Sequence, residues 1–115
     1  MHELGIMIEV VKQVEAVAKR EQIKSVKEIV LQIGEISSVI PHFVQECFPA
    51  ATYKTSLQDT KLRIEVIPAI GQCRACQQQY SLTKENGTCP NCQSKDFIMI
   101  SGREFLIKEI AVEDY

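Results

Sequence analysis

The chain has 115 residues, of which 45% are hydrophobic and 24% charged, and its formal net charge is −2. That length buries one sizeable core but not two, and the near-neutral balance excludes a surface built to hold a polyanion. Glu3 and Glu9 interrupt the first apolar segment, so it does not read as a secretory signal, and no run nears the ~18 apolar residues of a membrane span. A cytoplasmic location is expected, where clustered cysteines bind metal more often than they pair as disulfides.

In chain order, Leu4, Met7, Val11, Val14 and Ala18, joined by Ile8 and Val17, recur at three-four spacing, while Glu9, Lys12, Gln13 and Lys19 fall elsewhere. The spacing predicts an amphipathic helix from Leu4 to about Arg20. From Glu28 to Ile36 the pattern changes to alternation, with Ile29, Leu31 and Ile33 set against Glu28, Gln32 and Gly34, which predicts a strand. Ser37 and Ser38 offer helix caps, and Ile40, Phe43, Val44, Cys47, Phe48 and Ala51 mark one face of a second helix with Pro41 in its first turn. Pro49 lacks an N–H and its ring opposes the carbonyl of Gln45, so this helix is expected to end or kink near Phe48.

Lys61 to Ile67 alternates again, Leu62, Ile64 and Val66 against Lys61, Arg63 and Glu65, and Pro68 closes this second strand. Residues 71–103 differ in character: they hold four of the five cysteines, the polar run Gln77-Gln78-Gln79, and turn signals at Asn86-Gly87 and Cys89-Pro90. Phe105 to Val112 returns to β-rich apolar residues and is expected to rejoin the first sheet, with Lys108 breaking the even face. The expected fold class is α+β: a small three-stranded sheet packed with two helices, carrying an inserted zinc-ribbon-like module. The corresponding domains are residues 1–70 with 104–115, and the inserted module 71–103.

Cys73-Arg-Ala-Cys76 and Cys89-Pro-Asn-Cys92 are two C-x-x-C pairs separated by twelve residues. Each pair presents two sulfurs from one tight turn, and four soft thiolates suit Zn(II) in a closed tetrahedron that leaves no position for substrate, the mark of a structural site. Arg74, Lys84, Lys95 and Arg103 against Glu85 and Asp96 leave the zinc-loaded module near neutral, and only Tyr80 and Phe97 supply aromatics, which argues against nucleic-acid binding. One C-x-x-C at the start of a helix would suit thioredoxin-like chemistry; two in a turn-rich segment do not. Cys47 is expected to be a small buried hydrophobe on the second helix, and His42 a solvated surface residue.

His2 at the amino terminus admits two readings. It is an ordinary terminal residue, or the Met1 amine, the following amide nitrogen and its imidazole form fused chelate rings suited to Ni(II) or Cu(II). Glu3 either joins that ligand set, orients it, or simply places a carboxylate at the positive end of the first helix. No nucleophile–base pair and no phosphate-binding glycine loop is found, so the chain does not read as an enzyme.

Met1-His2-Glu3-Leu4, Ile33-Gly34-Glu35, the paired C-x-x-C motifs and Gly102-Arg103-Glu104 together resemble the HypA/HybF hydrogenase nickel-incorporation family over essentially the whole chain. The resemblance implies a metallochaperone that carries Ni(II) at Met1, His2 and Glu3 and holds a structural Zn(II) at Cys73, Cys76, Cys89 and Cys92. It implies delivery to the NiFe-hydrogenase large subunit, with the nickel-handling GTPase HypB as partner. Some members also serve urease maturation, which adds urease accessory proteins to the implied partners; no nucleic acid and no membrane are implied. Ile40 departs from the pattern, standing where some members place an acidic residue near the nickel site, and the module contains no histidine.

Overall fold

A computed structural model describes residues 2–113. The described chain runs α1 (Glu3–Arg20), β1 (Ser25–Gly34), α2 (Pro41–Thr52), β2 (Lys61–Ile67), β3 (Ile70–Cys73), β4 (Gln79–Ser81), β5 (Phe97–Ser101) and β6 (Phe105–Glu113). Two three-stranded sheets result, β2-β1-β6 and β4-β3-β5. The fold is α+β as expected, and the last strand does rejoin the first sheet, with β1 in the middle. No described helix is long and apolar enough to cross a membrane.

The chain divides into two compact units, one of residues 1–32, 39–65 and 106–115, the other of residues 33–38 and 66–105. In the first, the core is aliphatic. Met7, Val10, Val11 and Val14 of α1, Ile29, Val30 and Leu31 of β1, and Val44, Phe48 and Ala51 of α2 are all buried, and α1 packs directly on α2. Each fully buried side chain of this size contributes roughly 1.5–3 kcal/mol of hydrophobic stabilisation.

Alternate positions of β1, Glu28 and Gln32, fall on the opposite face from Ile29 and Leu31. There the chain builds a lattice of charge. Arg63 reaches Glu28 at 3.7 Å, Glu65 at 3.1 Å and Glu109 at 3.7 Å, and Lys108 meets Glu65 at 3.1 Å. The Gln32 side chain donates to Glu65 at 3.2 Å, and with the Lys108 ammonium it holds the Glu65 carboxyl below the usual range. Lys108 thus has a partner across the sheet, which explains a cation among the apolar residues of β6.

Four sequence expectations are corrected. Of the end or kink expected near Phe48, the end is corrected: helix α2 continues through Pro49 to Thr52. Pro49 and Gln45 both lie on the exposed face, so the carbonyl deprived of its N–H partner faces solvent, while Ala51 and Thr52 keep the helix against the core. The Thr52 hydroxyl further bonds the Phe48 carbonyl at 2.9 Å. Second, neither Ser37 nor Ser38 caps α2: Ile40 occupies the cap position, and its N–H is met at 3.3 Å by the distant carboxylate of Glu3. Third, β1 starts at Ser25 and stops at Gly34, because Glu35 and Ile36 turn to bond Ile67 O at 2.7 Å and Gly102 O at 2.9 Å. Fourth, the apolar faces drawn for the helices are rotated: Leu4 and Ile8 of α1, and Phe43 with the cap residue Ile40, stay exposed, while Val10 is buried instead.

In the second unit β3 is the middle strand, pairing antiparallel with both β4 and β5. Ala69, Cys73, Tyr80, Leu82 and Cys89 form its core with Cys76, Phe97 and Met99 against them. Tyr80 meets Phe97 edge to face at 6.4 Å and donates its hydroxyl to Gly87 O at 3.2 Å. The same unit contains a close backbone crossing. Gly34 N–H bonds Glu104 O at 2.7 Å, Ala69 N–H bonds the Glu35 carboxylate at 2.8 Å, and Gly102 N–H bonds the Glu104 carboxylate at 2.7 Å.

Candidate metal centre

The four cysteines of the paired motifs lie together, with every sulfur within 4.8 Å of the others, and they are the one such group of three or more metal-ligating side chains among the described residues. Two turns of the same construction bring this about. In the first, Cys73 N–H bonds Gln78 O at 2.9 Å and Gln77 N–H bonds Cys73 O at 2.9 Å; in the second, Cys89 N–H bonds Ser94 O at 2.9 Å and Gln93 N–H bonds Cys89 O at 2.8 Å. The fifth residue of each turn is left-handed, Gln77 at φ 71° and Gln93 at φ 65°. For a residue with a side chain that conformation costs roughly 1–2 kcal/mol, and it turns the chain so that both sulfurs of a pair face one point.

Backbone amides aim at the sulfurs. The N–H groups of Cys76 and Ala75 lower the Cys73 thiol below its ordinary value. The Asn91 side chain, then the Gln78 N–H, draw Cys76 down to about 6. Cys92 receives the Ser94 N–H, yet the hydrogen bond with Cys73, burial and the other sulfurs push it up to about 12. At neutral pH the cluster therefore presents a ready thiolate beside a thiol that holds its proton until a cation takes its place. Tyr80 is likewise raised, by burial and by the thiolates of Cys89 and Cys73. Sulfur donors alone, at this spacing and with backbone N–H groups directed at them, fit a soft or borderline divalent ion such as Zn(II).

Sequence reasoning identified the four cysteines from their spacing but not the residues that support them. Asn91 sits inside the second C-x-x-C, and only its bond across to Cys76 reveals its part. Arg74, inside the first, joins Asp96 at 3.1 Å on the exposed surface of the module.

At the other site the structure places His2 immediately before α1, exposed, with its carbonyl accepting the Ile6 N–H at 3.0 Å. Met1 lies outside the described residues. Glu3 is 5% exposed. Hydrogen bonding from its own N–H and that of Ile40 lowers its carboxyl in spite of burial. It lines a groove of about 250 Å³ with Leu4, Phe43, Glu46 and Cys47, so Cys47 is half-buried at a groove wall and not wholly interior. His42 is exposed and pairs with Glu46.

Two helices on a small sheet, with a four-cysteine cluster beside a second small sheet, define a small α+β protein with a zinc-ribbon-like module. Residues 1–112 match the family described as "Hydrogenase/urease nickel incorporation, metallochaperone, hypA". The hydrogenase maturation factor HypA of Dechloromonas aromatica is 37% identical over 113 residues, covering 98% of this chain and 100% of that one. That of Nostoc punctiforme is 38% identical over 114 residues, covering 99% and 97%. The solution structure of the Ni metallochaperone HypA from Helicobacter pylori aligns over 100% of both chains with a TM-score of 0.69 at 22% identity. A second solution structure of a HypA protein aligns over 98% and 97% with a TM-score of 0.72 at 23% identity. At those identities the structural likeness shows the fold. The chain belongs to the HypA family of nickel-incorporation metallochaperones.

Proposed function

We propose that the segment Met1-His2-Glu3 carries Ni(II) and delivers it to the NiFe-hydrogenase large subunit, while Cys73, Cys76, Cys89 and Cys92 hold a structural Zn(II). The Met1 amine, the amide nitrogen of His2 and the His2 imidazole supply nitrogen donors that favour the tetragonal geometry of Ni(II). Residues 1–70 with 104–115 form the nickel-carrying part and 71–103 the zinc part. The nickel-handling GTPase HypB is the proposed partner, meeting the exposed sheet edge or the first helix, and urease accessory proteins are further partners. The chain has no catalytic step of its own in this scheme. Its work is to hold an ion and surrender it by ligand exchange in the cytoplasm.

The observation that carries this reading is the contrast between two adjacent residues. His2 is exposed, whereas Glu3 is buried with its carboxylate tied to the start of α2 at Ile40. The His2 imidazole is thereby presented from a fixed point and open to an acceptor. Titration of Ni(II) into the untagged chain, into His2→Ala and into a variant extended before Met1 tests it. Both variants should bind at least about tenfold more weakly. Equal affinity in all three rejects the terminal site.

A further inference from the structure

His42 and Glu46 remain unused by either site. They stand four residues apart on α2, so one lies above the other on the same helix face, and His42 Nε2 approaches Glu46 Oε1 to 2.5 Å. Both side chains are open to solvent, 73% and 59% exposed. The imidazole also lies near Phe43, with ring centroids 5.7 Å apart and the planes tilted by 51°.

An imidazole nitrogen and a carboxylate oxygen bound to one first-row ion at ~2.0–2.1 Å, on neighbouring coordination positions, lie ~3 Å apart. A small rotation about either side chain opens the observed pair to that spacing. Glu46 has a second relationship. It lines the groove whose opposite wall carries Glu3, the residue that follows His2. At the α2 cap, by contrast, the side chain is hydrocarbon, Ile40, and the imidazole and carboxylate of this helix stand at positions 42 and 46.

We propose that His42 and Glu46 form a second, weaker divalent-metal site on α2, a transit site for Ni(II) beside the Met1-His2-Glu3 segment. Two protein donors leave the rest of the coordination shell to water, so the ion exchanges quickly, and imidazole with carboxylate is a borderline donor set that accepts Ni(II). The identity of the cargo rests on the nickel reading above; the existence of the site does not.

The test uses the untagged, zinc-loaded chain, titrated with Ni(II) while residue-resolved amide signals are followed by NMR. Wild type should show a second binding step about tenfold to a hundredfold weaker than the first, with its broadening centred on residues 41–47. His42→Ala should weaken that step at least about tenfold and Glu46→Gln several-fold, with the first step unchanged. His2→Ala should abolish the first step and leave the second. A helix ion pair alone would move none of these readouts. A wild type without a second step, or a second step indifferent to His42→Ala, overturns the proposal. A first step that survives His2→Ala overturns the terminal nickel reading instead, and leaves the comparison with His42→Ala to decide this one.

Discussion

A methyl group at Gly34 would lie 2.0 Å from the carbonyl oxygen of Gly102, and one at Gly102, whose φ is 126°, would lie 2.6 Å from the Cα of Ala69. Both obstacles are backbone, which no side-chain rotation relieves. Gly34→Ala is therefore expected to cost about 3 kcal/mol or more, above the usual range for an overpacked site, measured as a shift in the urea midpoint. Glu3 gives a prediction of another kind. Its carboxyl is held below the ordinary range by its own amide and that of Ile40. The stabilisation is therefore complete above the pKa of an unfolded glutamate and disappears as pH falls through the lower folded value. Wild type should exceed Glu3→Gln in thermal stability at neutral pH, and melting curves recorded down to acid pH should converge. A gap that persists unchanged below the carboxylate range would mean that packing, not charge, is what Glu3 supplies.

Elements were legible in the sequence where one period dominated. Alternation in Ile29, Leu31 and Ile33 marked β1, and three-four spacing from Met7 to Val14 marked α1, because each pattern is set by which face the core covers. Helix boundaries and faces were less legible because they depend on distant partners. The N–H of the α2 cap residue, Ile40, is met by a carboxylate thirty-seven residues earlier in the chain, and no local rule about Ser37 or Ser38 reports it. Pro49 is the clearest case. Its local preference to stop a helix is outweighed by the burial of Ala51 and Thr52 beyond it and by the exposure of the carbonyl it leaves unbonded. The local preference still has a cost. Pro49→Ala restores an N–H and removes a ring from the helix, against a loss of ~0.4–1 kcal/mol from a freer unfolded chain. A net gain of about 1–2 kcal/mol is expected in denaturant melts. The short strands β3, β4 and β5 left no readable period, since three to five residues around Gly71 and two cysteine turns are shaped by the cluster they surround.

For the whole molecule the two units rest on different physics, and removing one support separates them. The unit of residues 1–32, 39–65 and 106–115 buries an aliphatic core from two helices and a sheet. The unit of residues 33–38 and 66–105 buries a core in which two of the five fully counted members are cysteines of the cluster. The two cysteine turns bring four sulfurs within 4.8 Å, and there Asn91 and the Gln78 N–H hold Cys76 down at about 6 while the hydrogen bond with Cys73 and burial push Cys92 up to about 12, so the four do not ionise together. A divalent ion held there would take the place of the remaining protons and draw the four sulfurs together. Chelation of the metal, or Cys76→Ala, should therefore collapse the amide dispersion of residues 66–105 in NMR spectra. The helical far-UV circular dichroism of α1 and α2 should persist, because Met7, Val14, Val44 and Phe48 belong to the aliphatic core of the other unit. The dependence should steepen in acid, since protons and metal compete for the same sulfurs, so the metal midpoint moves to higher concentration as pH falls. Loss of the helical signal in step with the ribbon would show instead that the aliphatic unit cannot stand without the metal.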